Sequence, residues 1–235
     1  MKKGKLYLIP NVIAEGTQAS TIPAQTLVIL PTIHHFLAED VRTARRYLSS
    51  LKIYTSIEAL HFEVLNKETL EDKLAGLMKP IQDGHHLGII SESGCPGVAD
   101  PGALAVKYAH ENNIQVVPLV GPSSLLLALM ASGLNGQQFA FHGYLPIEAK
   151  AASEKIKELE QESKAKNQTQ IFIETPYRNN SVFDHFLKNL HSNTRLSVAV
   201  DLTGPSESVR TLPVAEWKKN KENWPKTPAV FLLLA

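Results

Sequence analysis

Ile89–Gly102 reads IISESGCPGVADPG, directly after the apolar start of the run His86–Ser91. His86–Ser91 has the composition of a buried strand. It leads into a loop punctuated by Gly94, Gly97 and Gly102, with Pro96 and Pro101 fixing its path. Open α/β sheets bind ligands just beyond the carboxyl ends of their strands, where glycine lets a backbone approach a ligand closely. A simple connection is usually shorter, so Ser91–Cys95 reads as a ligand-contacting loop. Glu92 is suited to accept hydrogen bonds from ribose hydroxyls or to face an ammonium group. Asp100-Pro101-Gly102 reads as a helix start, with Asp100 as N-cap and Pro101 in the first turn.

On the C-terminal side of this loop, Ala103–Asn112 predicts a helix and Gln115–Leu119 a strand. Val120–Gly133 (VGPSSLLLALMASG) predicts a turn opening a helix over Leu125–Ala131. The free N–H groups of that helix face the same sheet edge. Ser123 and Ser124 either hold a carboxylate or adenine edge or cap the helix. Upstream, Lys5–Pro10 and the apolar run Gln25–Leu30 read as strands, and Asn11–Pro23 as a loop or short helix. Val41–Leu51 reads as a helix capped by Asp40. Thr69–Lys79 reads as another, with Leu70, Leu74, Leu77 and Met78 on one face and Pro80 ending it. Downstream, strands are expected at Phe139–Tyr144, Thr169–Thr175, Leu196–Leu202 and Ala229–Ala235. Helices are expected at Ala149–Ala165 and Asn179–Leu190. This alternation predicts an α/β protein of two lobes. Pro118 and Pro122 bracket the boundary, giving domains 1–118 and 119–235.

Hydrophobic residues make up 43% and charged residues 20% of the 235, which supports a packed core and argues against disorder. No apolar run reaches the roughly 20 residues that span a bilayer. MKKGKLYLIP reads as a strand rather than a signal peptide, so a soluble, cytoplasmic protein is expected. The single cysteine, Cys95, allows no intrachain disulfide and gives no metal cluster. The pairs His34-His35 and His85-His86 point to opposite faces of their strands and lack a third ligand at suitable spacing, so no metal is expected. The net charge of +1 comes from 24 basic and 23 acidic residues. That is not the basic excess of a dedicated nucleic-acid binder, although Arg42, Arg45 and Arg46 form a local cluster. The charge run Glu154–Lys166 reads as a solvated helix face.

SESGCPGVADPG, VVPLVGPSSLLLALMASGL, FAFHGYLP and TQIFIETPYR together resemble the tetrapyrrole-methylase superfamily. Within it they most resemble the branch of small-subunit ribosomal RNA cytidine 2′-O-methyltransferases. FLAEDVRTARRYL is similar to that branch's Glu-Asp-x-Arg segment, and the resemblance spans most of Lys5–Arg178. It implies two α/β lobes with S-adenosylmethionine in the cleft between them, a homodimer and a ribosomal RNA substrate. It implies cofactor contacts at Pro10, Ile90, Ser91, Glu92, Cys95, Ser123 and Ser124. On the second lobe it implies that Glu174 and Leu202 line the cleft, with Pro228 and Ala229 near the adenine. The chain departs from the family in several places. A Thr-Pro-x-Gly-Asn loop is replaced by Pro10-Asn11-Val12-Ile13-Ala14, and the usual Asp by Glu92. Glu-Leu-Thr-Lys becomes Asp201-Leu202-Thr203-Gly204, losing its lysine, and Gly-Glu becomes Thr227-Pro228.

A sulfonium methyl is already electrophilic, so the protein's task would be alignment and exclusion of water. A ribose hydroxyl also benefits from a base as its proton leaves. Glu174, Asp201, His142 and Arg178 are the candidates. Glu174 leads because it ends a strand beside Thr175-Pro176-Tyr177-Arg178; an ion pair with Arg178 explains it equally well. Tyr177 and Arg178 suit stacking on a nucleobase or an ordinary surface position. Three functions fit these residues: methylation of a ribosomal RNA cytidine, methylation of a porphyrinoid small molecule, and a non-catalytic S-adenosylmethionine-binding module.

Overall fold

Strands whose neighbours on both faces are apolar must be covered by helices on both sides, and the N-terminal half is built that way. The computed structural model describes residues 3–220, 222–224 and 226–235. The chain divides into one compact unit ending at Ser123 and a second beginning at Ser124.

In the first unit the order is β1 (Leu6–Ile9), α1 (Gln18–Thr21), α2 (Ala24–Ile29), β2 (His35–Ala38), α3 (Val41–Ser50) and β3 (His61–Val64). It continues with α4 (Leu74–Leu77), α5 (Lys79–Gln82), β4 (Leu87–Ile90), α6 (Gly102–Glu111) and β5 (Val116–Pro118). The five strands form one parallel sheet in the order β3-β2-β4-β1-β5. Alternate residues feed two cores. Tyr7, Ile9, Phe36 and Ile90 pack with Tyr47 and Leu48 of α3, while Leu6, Leu37, Leu87 and Ile89 pack with Met78, Ile81, Ala105 and Ala109. Gly88 belongs to this packing, since a Cβ there would lie 2.3 Å from Ile9 Cδ1 and 3.0 Å from Phe36.

The second unit runs α7 (Ser124–Ser132), β6 (Phe139–Phe141), α8 (Ala149–Lys166), β7 (Thr169–Glu174) and α9 (Asn179–Asn189). Then come β8 (Arg195–Val200), β9 (Ser208–Pro213), α10 (Val214–Lys219) and β10 (Ala229–Leu234). Its sheet is mixed, in the order β6-β7-β10-β8-β9, with β10 antiparallel to both neighbours. Phe172, Phe231 and Val198 pack against α8, α9 and the Trp217–Trp224 pair on one face. Ile171, Val230 and Leu232 meet Ala128 and Leu129 of α7 on the other.

Two of the expected elements take another form. Gln25–Leu30 is not a strand: α2 covers most of it, followed by a 3-10 turn over Leu30–Thr32. A short apolar run does not distinguish the two forms. Here Thr26 and Leu30, one helical turn apart, are buried while Val28 between them is exposed. Thr69–Lys79 is not one helix but a 3-10 turn at Glu71–Lys73, α4 and α5. Leu70 stays exposed, and Pro80 sits in the first turn of α5, where its missing N–H costs nothing.

Candidate active site

Three loops leave the carboxyl ends of β1, β4 and β5, and the backbone itself fastens them together. Ile9 and Ile90 are level across the β1–β4 pair, so Pro10 and Ser91 begin their loops side by side. Asn11 joins them. Its backbone N–H donates to Gly94 O at 2.8 Å, and its amide donates to Ser91 O at 3.0 Å and Glu92 O at 3.1 Å. Its own Oδ1 accepts from Val12 N–H. Tyr47 of α3 donates its hydroxyl to Pro10 O at 2.7 Å, and burial pushes that phenol well above its usual pKa. The β5 loop is drawn in by Cys95, whose thiol donates to Pro122 O at 3.4 Å. It is also drawn in by Gly121, where a Cβ would collide with the Pro10 ring.

Within the β4 loop, Ser91 Oγ donates to Ser93 O and Gly94 O. Gly94 and Gly97 take positive φ of 67° and 83°. Asp100 corrects the sequence reading: its Oδ1 accepts from Gly97 N–H at 2.9 Å and Gly102 N–H at 2.7 Å. It therefore ties the loop to the helix start, and Pro101 occupies the cap position of α6. A Cβ on Gly102 would lie 2.6 Å from that carboxylate. Burial also raises the Cys95 thiol above its usual pKa, so it is no thiolate nucleophile. This rim is acidic. Glu39, just past β2, has its carboxyl raised by burial, then by the charges of Glu92 and Asp100.

Pro10, Ile90, Ser91, Glu92 and Cys95 thus lie together, with Ser123 closing the third loop of the same unit. Ile90 and Ser91 are buried and Glu92 is exposed. Ser124 is the first residue of α7 in the second unit.

The remaining predicted residues gather at one edge of the second sheet. Glu174, Ala229 and Val200 are level across β7, β10 and β8. Asp201 N–H donates to Pro228 O at 3.1 Å, and Leu202 comes next in the chain, buried. Glu174 Oε1 accepts from Thr175 N–H at 2.7 Å. Its Oε2 lies 3.3 Å from Arg178 Nη1, and the Glu174 side chain is 1% exposed. The expected ion pair is therefore present; the same guanidinium donates to Pro146 O. Thr203 Oγ1 and Thr227 Oγ1 are buried with no hydrogen-bond partner, and the buried Glu174 Oε2 has only its ion pair with Arg178. Glu174 ends β7, Thr203 follows the end of β8 by three residues and Thr227 precedes β10 by two; buried polar atoms without hydrogen bonds are rare. Thr203 and Thr227 escaped the sequence reading as site residues, as did Asn11.

The other acid–base candidates are occupied locally. His142 Nε2 shares a hydrogen bond of 2.6 Å with Gln170 Oε1, and Asp201 Oδ2 accepts from Ser206 N–H. Arg46 pairs with Glu15 at 2.9 Å, and Arg45 lies over the Phe62 ring. His35 stacks on His61 and tilts against His85; no metal-binding group of three ligands occurs among the described residues. These imidazoles line the larger cavity of the first unit, about 780 Å³. It sits toward the amino ends of the strands and touches none of the three loops. No helix among the described residues is long and apolar enough to cross a membrane.

The acidic, glycine-bearing rim of the first unit fits a cofactor that is cationic and rich in donors. S-adenosylmethionine, with its sulfonium, ammonium and adenine amino group, is such a cofactor. No protein-family model matches the chain. The crystal structure of uroporphyrin-III-C-methyltransferase from Thermus thermophilus superposes with a TM-score of 0.58 at 18% identity, covering 100% of this chain and 93% of that one. The fold is that of the tetrapyrrole methylases, and the chain is an S-adenosylmethionine-dependent methyltransferase. The "Ribosomal RNA small subunit methyltransferase I" of Escherichia coli is 29% identical over 234 residues, 98% of this chain and 78% of that protein. The protein of the same name from Synechocystis sp. is 30% identical over 200 residues, 85% of this chain and 67% of that protein. The chain belongs to the ribosomal RNA small subunit methyltransferase I family.

Proposed function

We propose that this enzyme methylates the ribose 2′-hydroxyl of a cytidine in small-subunit ribosomal RNA, acting as a cytoplasmic homodimer. The observation that carries the cofactor half of this reading is the acidic rim of Glu39, Glu92 and Asp100 beside a loop locked by Asn11. The names of the relatives support the RNA half and favour it over a porphyrinoid acceptor.

When bound, S-adenosylmethionine supplies a methyl carbon already activated by its sulfonium sulfur. The chain's own task is placement, which alone lowers a barrier by roughly 7–11 kcal/mol. Pro10, Ile90, Ser91, Glu92, Cys95 and Ser123 are the contacts proposed on the first unit, with Glu92 facing ribose hydroxyls or the ammonium group. Ser124, Leu202, Pro228 and Ala229 are those proposed on the second, where Thr203 and Thr227 hydroxyls stand ready as partners. As the hydroxyl oxygen bonds to the methyl carbon its proton must leave, and Glu174 Oε2 is the candidate acceptor.

Calorimetric titration with S-adenosylhomocysteine, followed by transfer of labelled methyl to small-subunit ribosomal RNA, tests this. Micromolar binding that Glu92→Ala weakens about tenfold or more is the expected result. Glu174→Gln should lower turnover while leaving that affinity intact. Binding without transfer to RNA would remove the substrate; no binding by the folded protein would remove the assigned cofactor contacts.

A further inference from the structure

A second, smaller cavity of about 250 Å³ lies at the carboxyl edge of the first unit. Its floor is the loop after β1, from Asn11 to Gln18, and Glu92 stands on its rim. Its wall is one face of α3: Thr43, Arg46, Tyr47 and Ser50. That spacing of three, four and seven residues aligns the four along the helix. The Asn11 clamp fixes the floor to the Ser91–Gly94 backbone, and the Tyr47 hydroxyl bond fixes the wall to Pro10.

The cavity is smaller than the roughly 300–1,000 Å³ that encloses a drug-sized ligand. It has room for a single base. Its lining combines the flat Tyr47 ring and Val12 with donors on Arg46 and Gln18 and acceptors on Glu15 and Glu92. The Watson–Crick edge of cytosine has the complementary mixture, an amino donor beside ring-nitrogen and carbonyl acceptors. The Arg46–Glu15 pair is 70% and 85% exposed, and such pairs are weak enough to exchange partners. A net charge of only +1 also favours recognition of a base over a grip on many phosphates.

We propose that this cavity is the acceptor pocket, receiving one unstacked cytosine so that its nucleotide lies against the Ser91–Gly94 loop. Enzymes that modify nucleotides commonly extrude them in this way. Arg46 and Gln18 meet the base acceptors, and Glu15 its amino group. The inference rests on the RNA methyltransferase reading above.

The test uses the full chain, a small-subunit ribosomal RNA transcript carrying 5-iodocytidine, and the variants Arg46→Ala and Gln18→Trp. S-adenosylhomocysteine calorimetry serves as the control for folding. Photocrosslinks should map to peptides containing 11–18 or 43–50. Both variants should raise KM for RNA about tenfold at unchanged S-adenosylhomocysteine affinity, and Gln18→Trp, which fills the cavity, should abolish the crosslink. Transfer by the wild type with unchanged KM in both variants, or crosslinks confined to other peptides, overturns the pocket and leaves the RNA reading standing. Cofactor binding with neither transfer nor crosslink to RNA overturns both.

Discussion

The two sheet edges solve the same problem in opposite ways. In the first unit the loops satisfy one another: Asn11 bonds Ser91, Glu92 and Gly94, Ser91 bonds its own loop, and Asp100 bonds Gly97 and Gly102. In the second unit Thr203 Oγ1 and Thr227 Oγ1 stay buried without a hydrogen-bond partner, and Glu174 Oε2 has only the Arg178 ion pair. There, Asp201 and Thr203 also hold positive φ of 53° and 68°, a conformation that is costly for a β-branched residue. The first edge is closed by its own hydrogen bonds, whereas the second keeps buried hydroxyls unbonded beside a strained backbone.

The severest challenge to this contrast is a substitution at Asn11. Asn11→Ala leaves the carbonyls of Ser91 and Glu92 without their buried donor, and leaving such groups unmade costs about 1–3 kcal/mol. Urea denaturation should show a loss in that range, with weaker S-adenosylhomocysteine binding. A neutral result would mean the first edge is not held by its own bonds. At the second edge the sign reverses. Thr203→Asn, a residue that tolerates positive φ, should gain about 0.5–1 kcal/mol of stability while lowering cofactor affinity. A destabilised variant would show that the strain is offset elsewhere.

The smallest effect lies away from both edges. Burial lowers the pKa of His35, with His61, His85 and His34 adding to the shift. The unfolded chain therefore takes up a proton near pH 6.5 before the folded one does. The resulting stability is complete above that pH and is lost as the pH falls from about 6.5 toward the lowered folded value. His35→Gln should flatten the acid limb of a Tm–pH profile. Because the ring is partly exposed, the difference should stay below about 1 kcal/mol.

Much of the first edge was legible because composition carried it. Glycines and prolines crowd Gly94–Gly102, and an apolar run such as Leu87–Ile90 has few uses other than a central strand. Asn11 was not legible, because its partners are backbone carbonyls some eighty residues away and nothing local marks it. The four-residue strands β2 and β3 were missed for a related reason. Each opens with histidine, which shortens the apolar run of the buried β2 to three residues, and β3 is a largely exposed edge strand. Gln25–Leu30 misled in the opposite direction, since apolarity alone names no period. The second edge was placed through its resemblance to relatives, and its unsatisfied hydroxyls emerge only when β7, β8 and β10 are brought level.

The strand order of the first sheet also sets a schedule. β1 pairs only with β4 and β5, placing Leu6 beside Leu87 and Val116, whereas β8 meets β9 across a short connection. Contacts between distant segments form slowly. During synthesis, Leu6–Ile9 therefore emerges and waits, apolar on both faces, until more than eighty further residues have been translated. Newborn chains of this protein should depend on chaperone cover longest in the first unit, since in the second β7 waits only about fifty-five residues for β10.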